Sequence, residues 1–154
     1  IDVNAFNQSS DPNIFAIGDC CNQWSERYDH SIRLESVQNA VDQAKTVAAH
    51  LCGQPRKHPI TPWFWTDQYD VKLQMAGIKH AVTHQIICGT PTPGNAFSIW
   101  HFSHQRLQAV DAINDSRAYN IGKKLIEKEL PVPIEALNNP ELDLKTLLAS
   151  AEAQ

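Results

Sequence analysis

Apolar residues recur at Leu34, Val37, Ala40, Val41, Ala44, Val47, Ala48 and Leu51, and this spacing predicts a helix over residues 34–52. Gly53 and Pro55 follow, as residues suited to end a helix. A shorter apolar run, residues 14–17, lies between Ser9-Ser10-Asp11-Pro12 and Gly18. It is too short for a helix with its own caps and reads as a buried strand stopped by a tight turn. Such strands belong to parallel sheets covered on both faces. Strand, loop and helix in succession over residues 13–53 therefore read as the end of an α/β unit. Residues 54–62 (QPRKHPITP) hold three prolines and read as a linker.

Beyond the linker the period changes. Residues 71–76, 81–88, 95–102 and 106–112 show strand-like alternation or β-rich content, separated by Gly77, the segment GTPTPGN and Ser103-His104-Gln105. Connections this short favour antiparallel pairing, because a parallel crossover needs about a dozen residues or more. Residues 115–129 predict a helix with an apolar face at Ala118, Ile121, Leu125 and Ile126, closed by Pro131 and Pro133. A short acidic helical tail is expected over 142–153. The predicted fold class is α+β. Residues 1–55 hold the last strand and helix of an α/β domain, and residues 60–154 form an antiparallel sheet domain with flanking helices.

Composition narrows the class. The 154 residues are 42% hydrophobic and 19% charged, the balance of a globular chain. A net charge of -4 argues against nonspecific binding to nucleic acid or to an anionic membrane. No apolar run approaches the roughly 20 residues of a bilayer span. Cys20, Cys21, Cys52 and Cys88 form no C-x-x-C pair, so reduced structural thiols in a cytoplasmic protein are expected. The seven histidines lack the tight Cys or carboxylate company of a zinc site, and no metal site is expected. The chain opens at Ile1-Asp2-Val3, without Met, just ahead of an interior-looking strand. That suggests a fragment lacking an N-terminal portion. An unpaired strand edge is prone to pair with another chain, so exchange of residues 1–53 between subunits, and with it a homodimer, is one expectation.

Candidate chemistry gathers at Gly18-Asp19. In open parallel sheets, ligands sit beyond the carboxyl ends of the strands. Gly18 lets backbone come close to a ligand, and Asp19 offers a carboxylate that accepts hydrogen bonds from ligand hydroxyls. The same residues also suit a plain turn with Asp19 as a turn residue or helix cap. In the segment PWFW, Trp63 and Trp65 share one face of an extended chain and Phe64 points the other way. Trp63 and Trp100 are expected in a core or a subunit interface, and Trp24 in a loop.

Taken together, SSDPNIFAIGDC, RLESVQNAVDQAKTVAAHLCG and PWFWTDQYDVKLQMAG resemble the C-terminal part of the FAD-dependent NAD(P)H:ferredoxin and rubredoxin reductase family. The resemblance covers the chain to about residue 126. It implies that residues 1–55 are the end of an FAD-binding domain. The family's second flavin-contact motif, T-x-x-x-x-hydrophobic-aromatic-A-x-G-D, matches Ser9 to Asp19, with Ser9 keeping the hydroxyl of the usual threonine. By this resemblance, Gly18 and Asp19 meet the flavin's ribityl chain. Glu35, Ser36 and Val37 stand at the helix start that points at the flavin pyrimidine edge. Trp65 stands beside the flavin and nicotinamide rings. Glu35 either contacts the nicotinamide amide or serves as a charge at the helix start.

The resemblance further implies FAD as cofactor, NAD(P)H as electron source, and a ferredoxin- or rubredoxin-type protein as acceptor. None of the six glycines forms the G-x-G-x-x-G fingerprint that places a dinucleotide on a helix N-terminus, and the family uses two such fingerprints. The isolated chain is therefore expected to lack reductase activity. The alternative class is a non-catalytic association module.

Overall fold

The computed structural model describes residues 1–56 and 61–153, so residues 57–60 of the expected linker lie outside the described residues. The chain divides into two compact units, Ile1–Pro62 and Trp63–Gln154.

In the first unit, β1 (Asp2–Val3) pairs in parallel with β2 (Asn22–Ser25), and β2 pairs antiparallel with β3 (His30–Ile32). The β2–β3 hairpin carries Trp24 on a strand, where the sequence pattern predicts a loop. Its alternation is too short to rise above the polar residues around it. α1 (Val37–Leu51) begins later than predicted, because Ser36 is extended and caps it: its Oγ accepts the Asn39 N–H at 3.2 Å.

The predicted buried strand over residues 14–17 is not a strand. Phe15 makes one isolated antiparallel bridge with Gln8, and Ile14 and Ile17 are exposed. The segment's backbone is satisfied locally instead. Ala16 N–H donates to Asn7 O at 3.0 Å, and Asn7 Nδ2 donates to Ala16 O at 3.2 Å. With the backbone groups of Ile14 and Ala16 taken up within the loop, the pairing stops at that single bridge.

The second unit is a five-stranded antiparallel sheet in the order β4 (Trp63–Gln68), β5 (Val71–Gly77), β8 (Arg106–Ile113), β7 (Phe97–Ser103), β6 (His84–Gly89). The register Trp63↔Ala76↔Val110↔Trp100↔Ile86 sets one row across one face. α2 (Ser116–Glu127) lies on that face, capped by Asp115, which accepts the Ala118 N–H at 2.9 Å. The predicted apolar face of α2 is buried: Ala118, Ile121, Leu125 and Ile126 join Trp100, Phe102 and Val110 in the core. Gly122 permits the close approach, since a Cβ there would stand 2.6 Å from Val110 Cγ2. α3 (Ile134–Leu137), which the pattern did not signal, and α4 (Leu144–Glu152) add Leu137, Leu147 and Ala151 to this core. The expected α+β class, an antiparallel sheet with flanking helices, is what the structure contains. β4 adds a fifth strand to the four predicted, and Tyr69 makes the tight β4–β5 turn at φ 55°.

The opposite face carries a buried polar group within the row Phe64↔Met75↔Asp111↔Ile99↔Ile87. Asp111 Oδ2 meets His101 Nε2 at 2.9 Å and Lys79 Nζ at 3.0 Å, and Gln85 Nε2 reaches His101 Nδ1 at 3.2 Å. Burial pushes the Asp111 carboxyl up, but the hydrogen bonds from His101 and Lys79 outweigh it and hold the pKa below the usual carboxylate range. A lowered folded pKa gives stability that is present above the unfolded value of about 3.9 and lost as pH falls through the folded value. Asp111→Asn should therefore cost about 1–3 kcal/mol at neutral pH. It should also flatten the fall in stability below about pH 4 seen by urea unfolding. An acid slope identical to that of the unaltered chain would contradict this assignment.

Candidate functional site

The site is built in the first unit around a three-residue 3₁₀ turn, Gly18–Cys20. Gly18 has φ +73°, which favours glycine, and Cys21 N–H returns to Gly18 O at 3.1 Å. The turn lies against α1: a Cβ added at Gly18 would stand 3.5 Å from the Ala40 Cβ. Gly18 N–H donates to the side-chain oxygen of Gln43 at 2.7 Å. Asp19 is exposed, and its backbone carbonyl accepts a hydrogen bond from Arg33 Nη1 at 3.3 Å. Arg33 also pairs with Glu35 at 2.6 Å, with both side chains more than half exposed. Such an exposed pair adds little stability, but it places Glu35 and the Asp19 turn on one guanidinium.

Helix α1 opens next to these groups. Val37 and Gln38, its first two residues, have no intrahelical acceptor for their N–H groups, and the helix end carries about half an elementary positive charge. Val37 is 66% exposed, so the helix start is open to solvent. Ser9 lies on the loop ahead of the turn. Its Oγ accepts the Asp11 N–H at 3.2 Å and donates to Asp11 O at 3.1 Å, which fixes the loop. Gly18, Asp19, Glu35, Ser36 and Val37 thus all sit in the first unit, linked through Arg33, Gln43 and α1.

Trp65 belongs to the second unit and is 39% exposed. Its ring stacks on Trp63 with centroids 5.4 Å apart and planes 30° apart. Lys123 Nζ stands 4.7 Å from the Trp63 ring centre, a cation–π contact, and Tyr119 lies 6.4 Å from it. Burial, with Glu127 adding to it, pushes the Tyr119 phenol up to about 12, so it stays neutral and packs as an aromatic. Trp63 packs against the core, and Trp100 is fully buried.

Sequence reasoning missed the polar stripe of α1. Asn39, Gln43 and Thr46 are buried, whereas Val37, Val41 and Leu51 of the predicted apolar stripe are exposed. The signal was present as three polar residues at helical spacing, 39, 43 and 46, but an apolar stripe elsewhere on the helix outranks it in any hydrophobic reading. All four cysteines are free, and no cluster among the described residues could hold a metal ion. No helix among the described residues is long and apolar enough to cross a membrane.

Residues 63–148 match the family described as Reductase C-terminal. The chain is 38% identical over 152 residues to putidaredoxin reductase of Pseudomonas putida, covering 99% of this chain and 36% of that protein. It is 38% identical over 147 residues to rhodocoxin reductase of Rhodococcus erythropolis, covering 96% of this chain and 34% of that protein. Among solved structures, the covalent putidaredoxin reductase–putidaredoxin complex superimposes with a TM-score of 0.92 at 39% identity, over 100% of this chain and 37% of that one. The chain thus spans about a third of the length of these relatives.

The cap at Ser36 is testable directly. Ser36→Ala removes the side-chain acceptor at the start of α1 and should cost the first unit about 1 kcal/mol. Loss of amide protection at Asn39 by hydrogen exchange checks it, and unchanged protection there would refute it.

Proposed function

The chain belongs to the Reductase C-terminal family, and from that membership we propose that it serves an FAD-containing reductase carrying electrons from NAD(P)H to a ferredoxin- or rubredoxin-type acceptor. Residues 1–55 are, in this reading, the closing part of the FAD-binding domain, and the second unit is the reductase's C-terminal domain. The exposed apolar positions Val37, Val41 and Leu51 support it, since the other elements of an α/β domain would cover them. The partner named in the putidaredoxin reductase–putidaredoxin complex supports a ferredoxin-type acceptor. Free cysteines and nicotinamide chemistry suit a cytoplasmic location.

The donors and acceptors of the first unit fit a flavin. N–H groups without an intrahelical acceptor and the positive end of α1 suit the electron-rich edge of the cofactor's pyrimidine ring. The exposed carboxylate of Asp19 suits hydroxyl groups of a ribityl chain, and Gly18 clears space for backbone approach. When bound, FAD supplies the exchange between two-electron and one-electron transfer. The chain's own residues do the rest. Asp19 orients the ribityl chain. The start of α1 favours negative charge on the adjoining ring edge and so raises the tendency to accept electrons. Within the second unit, Trp65 stacked on Trp63 offers a flat aromatic surface of the kind a planar ring packs on.

The observation that carries this reading is the Gly18–Asp19 turn held beside an open helix start. Full-length protein carrying this sequence should be yellow as purified and should reduce a ferredoxin-type acceptor with NAD(P)H. Asp19→Ala should weaken flavin retention about tenfold or more, an amount consistent with losing a charge-assisted hydrogen bond. The isolated 154-residue chain should show no NAD(P)H oxidation. A colourless full-length protein, or Asp19→Ala with undiminished flavin, would sink the proposal.

A further inference from the structure

Gln43 is buried to 2% exposure in the middle of α1, seven residues from the cap. Yet its single side-chain oxygen receives three donors. Gly18 N–H arrives at 2.7 Å, the Cys21 thiol at 3.1 Å and Asn39 Nδ2 at 3.2 Å. The first two flank the turn that presents Asp19. The third belongs to a side chain whose same amide nitrogen also donates to Leu34 O at 3.0 Å, two residues ahead of the Ser36 cap.

We propose that Gln43 is the positioning residue of the flavin site: it locks the Asp19 turn and the start of α1 into one geometry through a shared oxygen. This inference rests on the flavin reading above and deepens it. A carbonyl oxygen has two lone pairs, so two amide donors and a weak S–H fill it. Its removal would leave the Gly18 N–H buried and unmade, because Gly18 itself is buried. The turn would then have to shift to find a partner, and Asp19 would shift with it. Asn7 joins the same knot from the other side, with Nδ2 bonded to Ala16 O and 3.9 Å from Cys21 Sγ. The polar stripe of α1 thus does what an apolar stripe cannot. It fixes the turn by direction as well as by contact, and directed bonds specify a position more narrowly than packing does.

The test compares Gln43→Met, which keeps length but replaces the carbonyl oxygen with a weakly accepting thioether, with Gln43→Glu, which keeps an oxygen at the same place. In the 154-residue chain, Gln43→Met should raise hydrogen exchange at the Gly18 amide and thiol modification at Cys21 about tenfold, with α1 amides such as Ala48 still protected. Gln43→Glu should restore Gly18 protection, and the Gly18 amide resonance should then follow the titration of the introduced carboxyl. A Gly18 amide that ignores that titration, or that stays protected in Gln43→Met, overturns the proposal, and the titration alone decides it should Gln43→Met fail to fold. In the full-length flavoprotein, Gln43→Met should weaken FAD retention in parallel with Asp19→Ala. If Asp19→Ala weakens retention and Gln43→Met does not, positioning by Gln43 is wrong while the flavin reading stands. If neither variant weakens it, the flavin reading itself has failed, and the proposed role goes with it.

Discussion

The hydrogen bond between Gly18 N–H and the Gln43 side chain is the constraint on which the first unit turns. A glycine at φ +73° opens the turn, and its amide has to be satisfied inside the protein. The acceptor comes from 25 residues further along the chain, on a helix whose own start is capped by Ser36. That one bond ties the end of an irregular segment to a rigid rod. Everything placed on either partner inherits the tie: the Asp19 carboxylate on one side, and the open N–H groups of Val37 and Gln38 on the other. A site for a ligand with both hydroxyls and an electron-rich ring edge needs such groups at a fixed separation, and a helix supplies the fixed element more precisely than a loop does.

The second unit is organised by a different force. Its core is a sheet face covered by α2, with Trp100, Phe102 and Val110 against Ala118, Leu125 and Ile126. The approach is close because Gly122 lacks a Cβ at the contact with Val110. Gly77 plays the matching part between strands: a Cβ there would fall 2.0 Å from Gln108 O, so β5 and β8 could not close around any other residue without moving. Hydrophobic burial gives this unit its stability, and Trp65 stands at its margin, stacked on Trp63 rather than sunk in the core.

These two kinds of cohesion explain what could be read from the sequence. Burial leaves a period, so the apolar face of α2 and the strands β5 to β8 were legible to within a few residues. The Gly18–Asp19 turn was legible as a turn, and the helix after it as a helix. The run Ile14 to Ile17 misled because apolar residues imply burial only if something covers them, and here Ile14 and Ile17 face outward while Ala16 and Asn7 exchange backbone and side-chain bonds. The knot around Gln43 was invisible for the opposite reason. It depends on which polar atom meets which across 25 residues, and no local pattern encodes that. The hairpin at Trp24 and the short helix at Ile134 were missed because three or four residues carry too little periodicity to register.

In the proposed function, the turn and the helix start form one preorganised half of a flavin site. The most direct measurement is amide chemical-shift mapping of the isotope-labelled 154-residue chain during titration with FAD. Shifts should concentrate at Gly18, Asp19 and Cys20 and at Val37, Gln38 and Asn39, moving together along one binding curve. Shifts that scatter over the second unit's sheet, or an absence of shifts at the turn and helix start, would contradict it.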